Sequence, residues 1–120
     1  MVAENRGLLR FTKAAEYSWQ GIKATYQHEE AFRQESWLCA ILTPIAFFIA
    51  NDGVELALMI GSLILVLIVE LLNSSLEAVV DRIGTEHHEL SGRAKDIGSA
   101  AVMFALINLA VIWACIIFGS

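Results

Sequence analysis

The sequence predicts an all-α membrane protein that forms a single domain over residues 1–120. Three observations predict this class. Apolar residues make up 57% of the chain and its mean hydropathy is +0.60, which is more apolar surface than a soluble fold of this length can bury. Three long runs carry almost no charge, and one proline with eight glycines excludes a collagenous or Pro/Gly-rich disordered chain. We therefore expect three transmembrane helices, preceded by an amphipathic helix in the membrane interface.

The first element is an amphipathic helix over about residues 6–27. Its apolar and aromatic residues recur at steps of three or four and fall within an arc of about 80° on a helix, namely Leu8, Phe11, Ala15, Trp19, Ile22 and Tyr26. Charged and polar side chains occupy the other faces. The pattern favours a helix that lies in the cytoplasmic interface, where Trp19 suits the headgroup level. A soluble helix packed on the cytoplasmic loop is the alternative.

The three spans are expected at about residues 32–50, 54–81 and 92–118. The third is the clearest, because its apolar run 97–118 contains no charged residue. The second carries one charged residue, Glu70, within the run 56–72. The first has a shorter apolar run, 37–50, that contains Pro44. We expect it to be a short helix kinked at the proline.

The basic residues predict the orientation of these spans. Five of the eight precede the first span and the other three lie between the second and the third, namely Arg6, Arg10, Lys13, Lys23 and Arg33, and Arg82, Arg93 and Lys95. By the positive-inside rule, the N-terminus and the 81–96 loop are cytoplasmic. The net charge of −5 argues against a nucleic-acid partner. Cys39 and Cys115 lie in apolar runs, where they are expected to be packing residues.

A stripe of polar side chains follows one face of the second span. Its members Glu70, Asn73, Glu77 and Asp81 are three, four and four residues apart, so they share an arc of about 80°. Glu70 lies about 21 Å from the start of the apolar run, inside a hydrocarbon core of about 30 Å, and Glu77 lies about 10 Å further, near the interface. A carboxylate at membrane depth is costly and by default marks function. A structural carboxylate bonded to a neighbouring helix is the alternative for Glu70.

The stripe has the composition of a phosphoryl-transfer site. Carboxylates on one face repel one another unless a cation lies among them, and oxygen ligands with phosphate and water suit Mg²⁺. Further charged residues flank the first span and the stripe, namely Glu29, Glu30 and Glu35, and Arg93, Lys95 and Asp96. Metal-binding carboxylates, a lysine for phosphate and a buried base are the parts that phosphoryl transfer requires. The sequence contains neither a Walker loop nor the Gly-rich loop of protein kinases.

Small residues recur at the start of the third span, namely Ala94, Gly98, Ala101 and Ala105. In membrane helices such residues let two backbones approach closely. We expect them to serve helix contact and not ligand binding.

The residues described so far resemble a known family. The stretch 69–102, VELLNSSLEAVVDRIGTEHHELSGRAKDIGSAAV, closely resembles the signature of the bacterial integral-membrane diacylglycerol kinase family. The segments KAAEYSWQGIKA (13–24) and AFRQE (31–35) resemble it as well. The most specific part is the motif ExxNxxxE, followed by a DRIG turn and GRAKD. The resemblance covers nearly the whole chain, including the three spans and their order.

The resemblance implies a homotrimer of three-span subunits in the bacterial inner membrane. It implies active sites at the cytoplasmic face, each shared by neighbouring subunits. The implied reaction is transfer of the γ-phosphate of ATP, with Mg²⁺ as cofactor, to the free primary hydroxyl of diacylglycerol. The product would be phosphatidic acid, as expected of an enzyme of phospholipid metabolism.

The resemblance also implies roles for individual residues. Glu70 would be the catalytic base, Asn73 would orient the reacting groups, and Glu29 and Glu77 would hold Mg²⁺ on the ATP phosphates. Lys95 would neutralise phosphate with support from Asp96. The remaining nucleotide contacts would be Arg10, Tyr17, Glu86 and His88, and the lipid contacts would be Arg10, Trp19, Glu35, Glu70 and Ser99. The sequence departs from the family pattern at Glu16, where a small residue is usual, and at His87, where an aromatic residue is usual.

Three other functions fit part of the pattern. An undecaprenol kinase of the same family would share the acidic stripe. A small proton-coupled transporter would use one intramembrane carboxylate, but it would not need Glu77, Asp81 and Lys95 at the cytoplasmic edge. A structural or regulatory membrane peptide would tolerate the loss of these carboxylates.

Overall fold

The computed structural model describes residues 2–84 and 88–119, and all regular secondary structure in these ranges is α-helical. The four helices are α1 (Val2–His28), α2 (Glu30–Ile49), α3 (Gly53–Ile83) and α4 (Glu89–Phe118). They match the expected leader and the three expected apolar helices in number and order. Two residues of the sequence analysis lie outside the described residues. They are Glu86, an expected nucleotide contact, and His87, which departs from the family pattern.

Polar side chains define where two of the helices begin. In the turn before α3, the Asp52 carboxylate accepts a hydrogen bond from the Glu55 backbone N–H (2.8 Å), and the Glu55 carboxylate accepts one from the Asn51 backbone N–H (3.1 Å). At α4, the Nδ1 atom of His88 accepts a hydrogen bond from the Leu90 backbone N–H (3.0 Å). The bonds to the Glu55 and Leu90 N–H groups satisfy donors that the first turn of a helix leaves unpaired.

Helix α3 lies at the centre of the packing and contacts each of the other three helices. Its buried Met59, Leu63 and Val66 form the core together with residues of α2 and α4, namely Cys39, Ala46, Ala105, Leu109 and Trp113. The Trp113 indole N–H donates to the Met59 carbonyl (3.3 Å), which satisfies the polar atom of a buried ring. Both cysteines are free. Cys39 is a core residue as expected, whereas Cys115 is exposed on α4 and does not pack within this chain.

Two of the described helices, α3 and α4, are long and apolar enough to cross a membrane. Only 28% of the most apolar stretch of α3, and 17% of that of α4, is buried within the chain. Large apolar faces therefore remain for contact with lipid or with other chains. Helix α2, at 20 residues, is long enough but less apolar, and it is not one of the two, so the first expected span stays a prediction.

Helix α1 forms a long arm. Within residues 6–28, Thr25 is the one side chain that is not exposed. The radius of gyration of the chain is 17.9 Å, compared with about 14 Å for a compact domain of this length. The C-terminal end of α1 lies beside the last third of α3, and the first turns of α4 lie on another side of the same part of α3. This arrangement surrounds the polar stripe with side chains from three helices.

Candidate active site

The polar stripe continues the packing seam of α3. Met59, Leu63, Val66 and Glu70 are buried and are spaced four, three and four residues apart, so they follow one line along the helix. Asn73, Glu77 and Asp81 extend that line at steps of three, four and four. Glu70 is 5% exposed, Asn73 and Glu77 are half-buried, and Asp81 is exposed. The seam thus changes from apolar core to buried acid and then to exposed acid.

Asn73 and Glu77 are joined directly. The Asn73 Nδ2 atom donates a hydrogen bond to Glu77 Oε1 over 3.2 Å. On the other side of the amide, a Cβ atom built on Gly98 of α4 would overlap Asn73 Oδ1. This Oδ1 atom is buried and has no hydrogen-bond partner among residues 2–84 and 88–119. The amide is therefore held between a carboxylate and the backbone of α4.

Lys95 of α4 reaches the exposed end of the stripe. Its Nζ atom lies 2.8 Å from Asp81 Oδ1, and the two side chains are 45% and 61% exposed. An ion pair that is this accessible to water contributes little to stability, so the lysine can exchange its partner for another anion. The neighbouring Asp96 is exposed. The sequence indicated a phosphate-binding role for Lys95, and the structure adds the carboxylate that neutralises it at rest.

Glu29 is the single residue between α1 and α2, where its backbone is extended (φ −117°, ψ 109°). Burial raises the pKa of Glu29 above its ordinary value, and the carboxylates of Glu77 and Glu70 raise it further. The break between the two helices therefore brings a fourth acid to the stripe. A divalent cation between Glu29 and Glu77 would offset the repulsion between these two carboxylates.

The donor atoms at this end of α3 fit Mg²⁺. Within the described ranges, no group of three or more His, Cys, Asp or Glu side chains is arranged to hold a metal on its own. Mg²⁺ does not require one, since it commonly takes one or two carboxylates and completes its octahedron with phosphate oxygens and water. Glu29 and Glu77 supply hard oxygen ligands at a half-buried position, where a nucleotide and water can enter.

Glu35 of α2 lies beside Glu70. The two carboxyl groups lie within hydrogen-bonding distance of each other, an arrangement that requires a proton between them. Glu35 Oε2 is buried and meets no amide or hydroxyl donor among the described residues. The pair therefore forms a carboxyl dyad at the deep end of the stripe.

Two α2 side chains fix the junction that carries Glu29. The Arg33 guanidinium donates to the carbonyls of Tyr26 (2.8 Å) and Gln27 (3.1 Å), which lie in the last turn of α1. The Trp37 indole N–H donates to the Tyr26 hydroxyl (2.9 Å). Sequence reasoning used Arg33 only to assign orientation and did not find this contact. A basic residue a few positions after the end of an amphipathic pattern was the available signal, because cations favour helix C-termini.

A groove of about 510 Å³ separates α1 from α3. Its walls are mostly small or apolar, and Glu29 and His28 lie among its polar residues together with Ser74 and Ser75. The groove therefore connects the apolar sides of two helices with the acids at the end of α1. It has the character required for a molecule with one apolar and one polar end.

The remaining expected site residues do not meet the stripe within one chain. Arg10, Tyr17 and Trp19 are exposed on α1, and Arg10 lies about 28 Å from Glu29 along the helix. Ser99 is exposed on α4, one residue after Gly98, and His88 begins α4. The structure thus unites Glu29, Glu35, Glu70, Asn73, Glu77 and Lys95, and leaves the α1 residues apart.

Comparison with known proteins gives one consistent result. A family model described as prokaryotic diacylglycerol kinase matches residues 16–117. A diacylglycerol kinase of Haemophilus influenzae is 51% identical over 93% of this chain and 95% of its own length. That of Escherichia coli K12 is 50% identical over 100% and 98%, and that of Pseudomonas aeruginosa is 49% identical over 94% and 92%.

Proposed function

The chain belongs to the prokaryotic diacylglycerol kinase family and therefore phosphorylates an alcohol with ATP. We propose that the polar stripe on α3 is its active site. The observation that carries the proposal is the gradient of burial along one helix face, from Glu70 through Glu77 to Asp81. A lipid hydroxyl stays near the headgroup plane and a nucleotide stays in water. On one helix face, the buried acid can reach the lipid hydroxyl and the more exposed acids can reach the nucleotide.

Glu70 is the proposed base. Its carboxylate accepts the proton of the primary hydroxyl of diacylglycerol as the oxygen attacks the γ-phosphorus of ATP, and the bond to the β-phosphate oxygen breaks. Phosphatidic acid and ADP are the products. Glu35 supports this role, because its carboxyl group lies within hydrogen-bonding distance of Glu70 and can hold a proton beside the base.

Glu29 and Glu77 are the proposed ligands of Mg²⁺, and Asn73 holds Glu77 through its amide. When bound, Mg²⁺ neutralises charge on the transferred phosphoryl group. Lys95 would leave Asp81 to bind phosphate oxygens, with Asp96 beside it. Burial and the neighbouring acids disfavour a bare charge on Glu29, which supports a cation at this place.

The nucleotide and lipid contacts on α1 belong to a neighbouring subunit in this proposal. Arg10 lies too far along a straight α1 to reach the stripe of its own chain, and Tyr17 and Trp19 are exposed. A homotrimer with shared sites would bring Arg10 and Tyr17 to the nucleotide with His88 and Glu86. It would bring Arg10 and Trp19 to the lipid with Ser99. The unburied apolar faces of α3 and α4 are surfaces on which such subunits could pack.

The chain is a bacterial membrane enzyme. We propose that α2 completes a set of three spans in the inner membrane, with α1 in the cytoplasmic interface and the N-terminus and the 81–96 loop in the cytoplasm. The distribution of the basic residues supports this orientation. Cysteine labelling from each side of sealed vesicles tests it.

The test of the function is a comparison of lipid alcohols. The purified chain in mixed micelles with Mg²⁺ and ATP should phosphorylate diacylglycerol faster than undecaprenol, because its relatives are named diacylglycerol kinases. Labelled phosphatidic acid is the readout, and omission of Mg²⁺ is the control. Faster turnover of undecaprenol would reassign the acceptor, and failure to phosphorylate either alcohol would overturn the proposed site.

A further inference from the structure

Gly98 lies where α4 comes nearest to the catalytic face of α3. It is buried, and the absence of a side chain leaves the space that Asn73 Oδ1 occupies. A Cβ atom at this position would also lie 3.3 Å from Asn73 Cγ, and beyond Asn73 its nearest neighbour would be Leu76 Cδ2, at an ordinary contact distance of 3.9 Å. The space at Gly98 is therefore filled chiefly by one functional side chain and not by the backbone of α3.

The position of the Asn73 amide has a chemical consequence. With Nδ2 directed to Glu77, the amide donates to a carboxylate, which is favourable. With the amide turned over, its oxygen would face that carboxylate and repel it. Gly98 leaves the space for the amide oxygen, which has no hydrogen-bond donor in the described ranges.

We propose that Gly98 is a positioning residue for the kinase reaction, which holds the Asn73 amide in the orientation that directs Glu77. The inference rests on the proposed roles of Asn73 and Glu77. It assigns to Gly98 more than the close helix contact that its small size suggests. A methyl group at residue 98 would push the Asn73 side chain away and release Glu77, while the helices themselves need not move.

The substitution Gly98→Ala separates this role from a packing role. Alanine favours a helix more than glycine does, so the variant should melt in detergent at the same temperature as the parent or higher. Its kcat/KM for Mg²⁺·ATP should fall by about tenfold or more, the loss expected when a hydrogen bond to a charged group is broken. The matched control is Gly92→Ala on the same helix, where a Cβ atom meets nothing within 4 Å.

A double-mutant cycle with Asn73→Ala identifies the side chain through which Gly98 acts. In the Asn73→Ala background, Gly98→Ala should cause no further loss of kcat/KM. It should also raise the melting temperature more than it does in the parent, since no amide remains to be displaced. The second readout holds even where Asn73→Ala leaves too little turnover to measure.

The possible results divide clearly. Parental kcat/KM in Gly98→Ala, with Asn73→Ala impaired, overturns the inference and leaves the proposed site intact. A fall in melting temperature of equal size in both backgrounds also overturns it, because that is the signature of helix packing. Parental turnover in Asn73→Ala removes the proposed role of Asn73, and the inference with it.

Discussion

Glu70 differs from the other acids of the stripe in having almost no exposed surface. A shielded carboxylate keeps little hydration, so a hydroxyl group that reaches it displaces little water before the proton moves. Asp81 has the opposite properties, because it is exposed and already paired with Lys95. The same functional group, a carboxylate, therefore has two proposed tasks on one helix, and burial distinguishes them.

We expect Glu70→Gln to lower phosphatidic acid formation by about 10²- to 10⁴-fold, the contribution typical of a positioned general base. Glutamine has nearly the same shape, so the melting temperature and the affinity for Mg²⁺·ATP should remain close to those of the parent. Glu55→Gln, about 22 Å away on α3, is the matched control. Turnover above about a tenth of the parental rate would exclude Glu70 as the base.

Glu29 makes stability depend on pH. Its pKa in the folded chain is raised from 4.5 by burial, and then by Glu77 and Glu70, so the folded state binds this proton more tightly than the unfolded state does. The contribution of Glu29 to stability is therefore complete below pH 4.5 and is lost as the pH rises through the folded pKa.

Because the pKa of Glu29 is raised in the folded chain, an ionised Glu29 destabilises the fold near pH 7. We therefore expect Glu29→Gln to raise the melting temperature by a few degrees near pH 7 in metal-free detergent, and to leave it unchanged near pH 4. Mg²⁺ with ATP should stabilise the parent more than the variant. Thermal scans across this pH range measure both effects, with Glu30→Gln as the control at an exposed neighbour. An equal gain at both pH values would contradict the assignment.

At the scale of elements, the junction between α1 and α2 determines where Glu29 lies. The chain changes direction there without glycine or proline, and the contacts of Arg33 and Trp37 with the last turn of α1 hold the two helices together. Because Glu29 is the residue between them, loosening either contact should disturb the proposed metal site before it disturbs the core.

Arg33→Gln removes both of these hydrogen bonds and should raise the KM for Mg²⁺·ATP by about five- to tenfold, since each bond contributes about 0.5–1.5 kcal/mol. Trp37→Phe removes a single bond and should have the smaller effect. Steady-state kinetics at varied Mg²⁺·ATP give the readout, and Arg6→Gln, which is exposed far along α1, is the control. Unchanged KM values in both variants would show that the junction does not position Glu29.

The sequence predicted the elements better than the contacts between them. Helical spacing identified the leader and the shared face of Glu70, Asn73 and Glu77. The length of the apolar runs identified the three apolar helices. Both signals depend only on the local sequence. The Lys95–Asp81 pair, the Gly98–Asn73 contact and the Arg33 bonds depend on the rotation and height of one helix against another. One sequence does not specify those variables.

At the scale of the whole molecule, a single chain leaves much of its apolar surface uncovered. α3 and α4 leave most of their apolar length exposed, and α1 extends from the rest with Arg10 far from the stripe. A trimer with shared sites would use both features, since lipid and neighbouring chains would cover the helices and a second chain would supply Arg10.

Mixing two inactive variants tests this arrangement. Arg10→Ala chains and Glu70→Gln chains, unfolded together in equal amounts and reassembled, should regain activity if each site takes these residues from different subunits. Random mixing would restore about a quarter of the sites. Each variant reassembled alone is the control. Recovery no greater than that of the separate variants would show that a site is built within one chain.

The shared line of core and acids along α3 has a consequence for changing the length of this helix. One residue inserted between Val66 and Glu70 would turn the acids about 100° out of phase with the seam that packs against α2 and α4. Seven inserted residues would restore the phase to within about 20° but would shift the acids about 10 Å along the axis. An insertion therefore cannot preserve both the direction in which the acids point and their depth along the helix. For this reason α3 tolerates little change of length at this point.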